Sequence, residues 1–163
     1  MVEDVLQTMK TILEDKLSVE LTKQEGKYGD QVKLDTLAQI LIGDETITEK
    51  GLPLAVLRAE SSEIALWATN KKDVSHEISI GIVVSDTDEG ASQKKLWRTM
   101  RAVESCFEIN APSYNEYIID YQTTTHAFNV SIFELEESKS TEKGGIISAT
   151  VLERQDAYVA AQL

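Results

Sequence analysis

The chain has 163 residues, 42% of them hydrophobic, and a formal net charge of −12, which fits one domain with a core of its own. The negative charge argues against broad binding to nucleic acid or to anionic membranes. No apolar run approaches the length of a membrane span, and the acidic, amphipathic N-terminus is unlike a signal peptide. The single cysteine, Cys106, excludes an intramolecular disulfide. We therefore expect a single domain over residues 1–163, made in a cytoplasm.

An amphipathic helix is predicted at the start of the chain, over residues 2–17. Glu3 and Asp4 lie in its first turn, where the helix dipole favours acids. Apolar residues recur at helical spacing and form one stripe: Val2, Val5, Leu6, Met9, Ile12, Leu13 and Leu17. Residues 18–33 are polar and contain two glycines, so they are predicted as a loop or an irregular hairpin.

Residues 34–42 are ambiguous, because a short apolar run suits either a helix or a strand. We favour a short helix, since Asp35 suits its start and Gly43 its end. A loop is then predicted up to Pro53. Beyond it, residues 54–59 and 64–69 predict two short strands joined by a hairpin turn at 60–63. A second turn is predicted at residues 70–73.

The centre of the chain combines a strand and a helix. Alternate apolar residues predict a strand with one buried face: Val74, Ile78, Ile80, Ile82 and Val84. The period then changes, because Leu96, Met100, Val103 and Phe107 recur at helical spacing and predict a helix over residues 91–108. The acidic turn between the two elements supplies three candidate helix caps: Asp86, Asp88 and Ser92.

The last third of the chain predicts strands. Residues 110–115 include Pro112 and are predicted to end the second helix. Two strands are expected over residues 117–123 and 127–135. In the second of them, three apolar residues share one face: Phe128, Val130 and Ile132.

Charged and serine-rich residues 136–145 then predict a flexible loop, because this stretch ends in a double glycine. A last strand is predicted over residues 146–153. Residues 158–163 are expected to form a loose tail.

This order of elements predicts an α+β fold, with one mainly antiparallel sheet and two main helices packed on one face. The other face must be solvated or covered by a partner. Ile119, Tyr121 and Phe133 are the candidates for that second face. Large residues on both faces of one sheet favour association with a partner.

The sequence contains few signals of chemistry. His76 and His126 stand in or beside strands without neighbouring ligands, so ordinary strand histidines are favoured over a metal site. Residues 86–90 resemble the start of a calcium loop, but Trp97 stands where a bidentate glutamate is needed. No phosphate-binding loop or nucleophile elbow is present. We therefore predict no catalytic, cofactor or metal residues, and no cofactor.

One charge pattern stands out on the second helix. Four cations, which we call the basic strip, lie close together on an otherwise acidic protein: Lys94, Lys95, Arg98 and Arg101. The simplest interpretation is a solvated helix face. A sharper one is a contact with an acidic surface, such as the next subunit of a ring. Binding to a few phosphates is a third, although the net charge opposes it.

The chain resembles the tail terminator, or tail-completion, proteins of long-tailed bacteriophages. The similarity lies in an N-terminal amphipathic helix, a variable stretch, and a strand that begins at Leu52-Pro53. A hairpin then leads into the long strand containing residues 77–84, and a helix with the pattern of residues 96–104 and closing strands follow. The order of elements covers most of the chain, whereas residues 43–52 and 136–145 have no matching counterpart.

The resemblance implies a virion structural protein without enzymatic activity. Such proteins form a ring, usually a hexamer, on the last ring of the tail tube, where they stop polymerisation and meet the head-side connector. The implied partners are further copies of the chain, the tail tube protein and the head–tail connector proteins, with no membrane and no specific nucleic acid, although DNA passes through such a ring. The implied location is the virion tail or neck, after synthesis in the host bacterial cytoplasm. By position, the basic strip is the predicted interface.

Three alternatives remain at this stage. The chain fits another neck, head-completion or baseplate component of the virion with a similar small α/β fold. A small host regulatory binding module is a second alternative. An enzyme whose site forms only on folding is a third, and the lack of local motifs argues against it.

Overall fold

A computed structural model describes residues 2–43, 45, 51–68, 71–86, 88–130 and 142–156. Two long helices and five strands follow one another along this part of the chain. They are α1 (Val2–Lys27), β1 (Gln39–Ile42), β2 (Leu54–Ala68), β3 (Lys71–Ser85), α2 (Glu89–Tyr114), β4 (Ile118–Phe128) and β5 (Glu142–Asp156). The described strands form one sheet in the order β1-β2-β3-β5-β4, where β1 and β2 are parallel and the other neighbours are antiparallel.

Helix α1 extends to Lys27 and so corrects the predicted loop at residues 18–33. The apolar stripe does not stop at Leu17, because Leu21 lies one turn further on and is also buried. Most of the other residues from 18 to 27 are polar, and this composition favoured the loop prediction. Residues 28–38 follow the helix without regular secondary structure.

Strand β1 corrects the favoured interpretation of residues 34–42 as a helix and confirms the strand alternative. Gln39 to Ile42 pair in parallel with Leu54 to Leu57 at the edge of the sheet. The backbone of this apolar run therefore pairs with the outer edge of β2, which would otherwise lack a strand partner there.

Strand β2 is continuous through residues 60–63, so the hairpin predicted there is wrong. Its polar residues remain in register with β3, with Ser61 opposite Glu77, and a register shift after Ala59 absorbs one extra residue. The true hairpin connects β2 to β3, and Ala68 pairs with Lys71. The predicted central strand is confirmed and lies between β2 and β5.

Helix α2 begins after Asp88, which caps it by accepting a hydrogen bond from the Gly90 backbone N–H at 3.0 Å. Of the three candidate caps, Asp88 is therefore the one that caps the helix. The predicted end at residues 110–115 is wrong, because the helix passes through Pro112 to Tyr114. A proline removes one backbone donor, and packing of this last turn offsets the loss: the Tyr114 hydroxyl donates to the Asp15 carboxylate on α1 at 3.1 Å.

The closing strands are longer than predicted. β4 runs without a break to Phe128, so the start of the predicted strand at 127–135 belongs to it. β5 begins at Glu142, and Gly144 and Gly145 are therefore strand residues rather than part of a flexible loop. Residues 131–141 and the predicted tail at 158–163 lie outside the described residues.

Both helices pack on one face of the sheet, which confirms the predicted α+β fold. Four residues of β3 join residues such as Met9 and Phe107 in the main core: Ile78, Ile80, Ile82 and Val84. A smaller cluster lies on the other face: Leu41, Leu54, Val56 and Val83.

The prediction that Tyr121 lies on that second face is wrong. Its ring is buried against Phe107, with ring centroids 5.4 Å apart, because its register partner Val151 faces the helices. Phe133 lies outside the described residues.

Candidate functional site

The predicted basic strip lies on α2, whose direction is set by the end of β3 and the Asp88 cap. Arg98 is its most buried member, with 8% of its surface exposed. Its guanidinium donates two hydrogen bonds to the Asp30 carboxylate, at 2.8 and 2.7 Å, and stacks 4.0 Å from the centre of the Tyr28 ring. This arrangement, which we call the Arg98 clamp, fixes the irregular segment after α1 against α2.

The Arg98 clamp changes the acid chemistry of Asp30. Hydrogen bonds from Arg98 are the main cause that lowers the pKa of Asp30 from 3.8 to about 2. Asp30 is therefore ionised throughout the ordinary pH range. Arg98 is held by this acid and is not available to a partner without opening the clamp.

Lys95 makes a second set of contacts next to the clamp. Its ammonium lies 3.3 Å from Asp35 and 3.0 Å from Asp86, and the side chain is largely buried. Burial alone lowers the pKa of Lys95, but the hydrogen bond to Asp86 and the charge of Asp35 outweigh it and raise the pKa. Asp86 is thus a partner of Lys95 rather than the first ligand of a calcium loop.

Lys94 and Arg101 are the accessible members of the basic strip, with half of each side chain exposed. Lys94 lies 3.7 Å from Asp30, and Arg101 lies 3.0 Å from Glu104 and 3.5 Å from Glu108. Burial and the neighbouring Glu104 raise the pKa of Glu108. Each cation of the strip therefore has a carboxylate partner within the chain, so the strip is not a field of uncompensated positive charge. Its assignment as an interface stays a prediction.

An exposed aromatic patch adjoins the strip and was missed in the sequence. Trp97 is 46% exposed and Phe128 is 48% exposed, and their rings meet edge to face with centroids 6.4 Å apart. His126 lies 6.2 Å from the Phe128 ring and is 2.5 Å from the Glu104 carboxylate. Trp97 stands three residues after Lys94 and four before Arg101, so the three side chains are neighbours on the helix surface. This spacing was the signal in the sequence that could have located the patch.

A buried hydrogen-bonded relay connects β2, β3 and β5. His76 is 2% exposed, with Nδ1 2.7 Å from Ser62 Oγ and Nε2 3.0 Å from Glu153 Oε1. Gln155 donates a further hydrogen bond to Glu153 at 2.6 Å. We call Ser62, His76 and Glu153 the buried relay. Its sequence signal was the even position of His76, on the buried face of the predicted central strand.

Cys106 is buried in the core, and burial raises the pKa of its thiol to about 12. It is therefore an unreactive core residue. Among the described residues, no group of three or more histidine, cysteine or acidic side chains is arranged to hold a metal ion. His76 and His126 belong to separate clusters, each with its own glutamate.

Neither a model of a known protein family nor a curated protein matches the sequence. In the part of the chain that the structure describes, neither long helix is apolar enough over a sufficient length to cross a membrane.

Proposed function

We propose that the chain is the subunit of a ring that caps a phage tail tube, ends its polymerisation and joins the tail to the head-side connector. The observation that supports this most is the order of the elements. A long helix, a hairpin containing the central strand, a second helix and closing strands follow one another, as the resemblance implies. The proposed location is the tail or neck of the virion.

The available surfaces suit a ring. Each subunit of a ring meets one neighbour on either side, so it needs two different contact surfaces. The aromatic patch of Trp97, His126 and Phe128 supplies half-exposed rings beside Arg101, a combination enriched in protein interfaces. β4 is the last strand of the sheet, so its outer backbone groups have no strand partner among the described residues.

Native mass and sedimentation velocity over a wide concentration range test assembly. We expect a closed oligomer of about six subunits. Trp97→Ala should weaken association about tenfold or more, because truncating a central aromatic residue removes a large contact area. Ile109→Ala is the matched control, since Ile109 is also an exposed apolar residue of α2. Assembly that is insensitive to Trp97→Ala would remove the aromatic patch from the interface.

The basic strip is tested with Lys94→Glu and Arg101→Glu. Arg98 is left unchanged, because reversing its charge would open the Arg98 clamp and confuse stability with assembly. Reduced association in these two variants, with unchanged thermal unfolding, supports a role of the strip in subunit contact. Unchanged association limits the strip to pairing within the chain.

Electron microscopy of tail tubes with added protein tests the location. We expect density at one end of the tube and an arrest of further polymerisation. Binding elsewhere on the particle favours another neck or baseplate component. Failure to bind tubes, together with a monomer at every concentration, would contradict the proposed function.

A further inference from the structure

The buried relay has the hydrogen-bond order of an activated serine. Glu153 is an acceptor when ionised, so His76 must carry its proton on Nε2 and donate it to the carboxylate. The neutral ring then presents Nδ1 as an acceptor, and Ser62 O–H donates to it at 2.7 Å. A hydroxyl, a base and an acid that orients the base therefore lie in one line, within the distances of nucleophilic sites.

The three residues of the buried relay differ sharply in their exposure to solvent. Burial alone raises the pKa of Glu153, but hydrogen bonds from His76 and Gln155 outweigh it and lower the pKa, which keeps the carboxylate ionised. His76 is enclosed in the sheet, whereas Ser62 is exposed. The hydroxyl end of the relay is thus accessible and has His76 Nδ1 within hydrogen-bond distance, whereas the orienting acid is shielded from water.

The surroundings of Ser62 offer a surface for an apolar group. β1 pairs with β2 only as far as Leu57, so from Ala59 onward the outer edge of β2 has no strand partner among the described residues. Every second backbone N–H along such an edge points outward and is available to an oxygen atom. On the same face of β2, Ile64 is 61% exposed and Leu66 is 72% exposed.

We propose that Ser62 is the nucleophile of an acyl-transfer site whose substrates are esters of short apolar acyl groups. His76 is its general base, and Glu153 is a positioning residue. The acyl group would lie along Ile64 and Leu66, with its carbonyl oxygen toward the free edge of β2. This activity goes beyond the proposed ring function and does not depend on it.

The reaction has two balanced steps. Ser62 Oγ attacks the ester carbonyl carbon as its proton passes to His76 Nδ1; the bond from that carbon to the alcohol oxygen breaks, and the alcohol leaves with the proton. Water then attacks the acyl-Ser62 ester and gives a proton to His76 Nδ1. The carboxylic acid is released as Ser62 Oγ takes that proton back.

A fluorophosphonate probe and intact mass measurement test the nucleophile. We expect one probe molecule on Ser62, no labelling in Ser62→Ala, and full labelling in Ser61→Ala. Ser61 is the matched control, because it is exposed on the same strand but faces the other side of the sheet, opposite Glu77. Hydrolysis of p-nitrophenyl butyrate should follow the same pattern. Absence of labelling, or labelling that persists in Ser62→Ala, overturns the proposal.

The base and the positioning residue need a separate measurement. His76→Gln should lower the labelling rate about 100-fold or more. Glu153→Gln should lower it as well, and Glu153→Asp should restore part of the rate, because a carboxylate can again accept the Nε2 proton and orient the ring. Circular dichroism establishes that these variants are folded. An unchanged labelling rate in folded His76→Gln and Glu153→Gln overturns the relay mechanism.

Discussion

At the scale of single residues, the Arg98 clamp makes one segment of the fold sensitive to acid. The pKa of Asp30 is lowered to about 2 in the folded chain from an ordinary value of 3.8. A carboxyl with a lowered pKa stabilises the fold at pH values above its unfolded pKa. That contribution is lost as the pH falls from about 4 toward about 2.

Asp30→Asn should therefore abolish part of the acid sensitivity. We expect the variant to be less stable than the wild type at neutral pH, and the difference to shrink as the pH falls through this window. Urea unfolding at a series of pH values measures it. Asp35→Asn is the control, because Asp35 is exposed and has a single weaker contact with Lys95. A difference that is constant with pH would contradict the role of the clamp.

Gly145 is a second residue where a single atom matters. A Cβ at this position would lie 2.5 Å from Met100 Sδ and 3.1 Å from the Ala127 carbonyl oxygen. Gly145→Ala should destabilise the fold by about 1–3 kcal/mol, because a buried side chain and a backbone atom must both move. Gly26→Ala, in α1, should instead stabilise the fold by about 0.5–1 kcal/mol, because alanine favours a helix more than glycine does. No atom lies within 4 Å of the added Cβ. Opposite signs in thermal unfolding test this pair.

At the scale of elements, sequence periodicity located every long element but misjudged where several of them end. The stripe of α1 continues to Leu21, while the polar residues around it resemble a loop. The polar residues 60–63 resemble a turn, yet β2 continues through them because β3 supplies a partner along its whole length. Pro112 is tolerated because the last turn of α2 packs on α1. In each case a partner distant in the sequence overrides the local signal.

The extension of α1 can be tested with two neighbouring residues. Leu21→Ala should destabilise the protein by about 2–4 kcal/mol, because Leu21 is 3% exposed and its truncation leaves a cavity. Val19→Ala should change stability by less than about 0.5 kcal/mol, because Val19 is 52% exposed. Similar values for both in chemical denaturation would show that the helix does not continue past residue 17 in solution.

At the scale of the whole molecule, the fold class was predictable and the sites were not. Alternation in β3 and helical stripes in α1 and α2 are local patterns, and together they predict helices on one face of a sheet. The Arg98 clamp joins residues 68 positions apart, and His76 and Glu153 are 77 positions apart. Single-sequence spacing carries no information about such pairs. The ion pairs of Lys94, Lys95 and Arg98 could not be predicted, because their acidic partners lie outside α2. Only Arg101 pairs with acids of the same helix.

The net charge leads to a prediction about assembly. Each copy carries −12, so a ring gathers charges of one sign. The cations of the basic strip already have partners within the chain and offer little attraction to a neighbour. Salt shortens the screening length from about 30 Å at 0.01 M to about 10 Å at 0.1 M, and should therefore strengthen association. Sedimentation velocity at several salt concentrations measures this effect. Lys94→Gln and Arg101→Gln are the matched variants, and the salt dependence of their association should equal that of the wild type. Dissociation on adding salt, reduced in these variants, would instead place both cations in ion pairs between subunits.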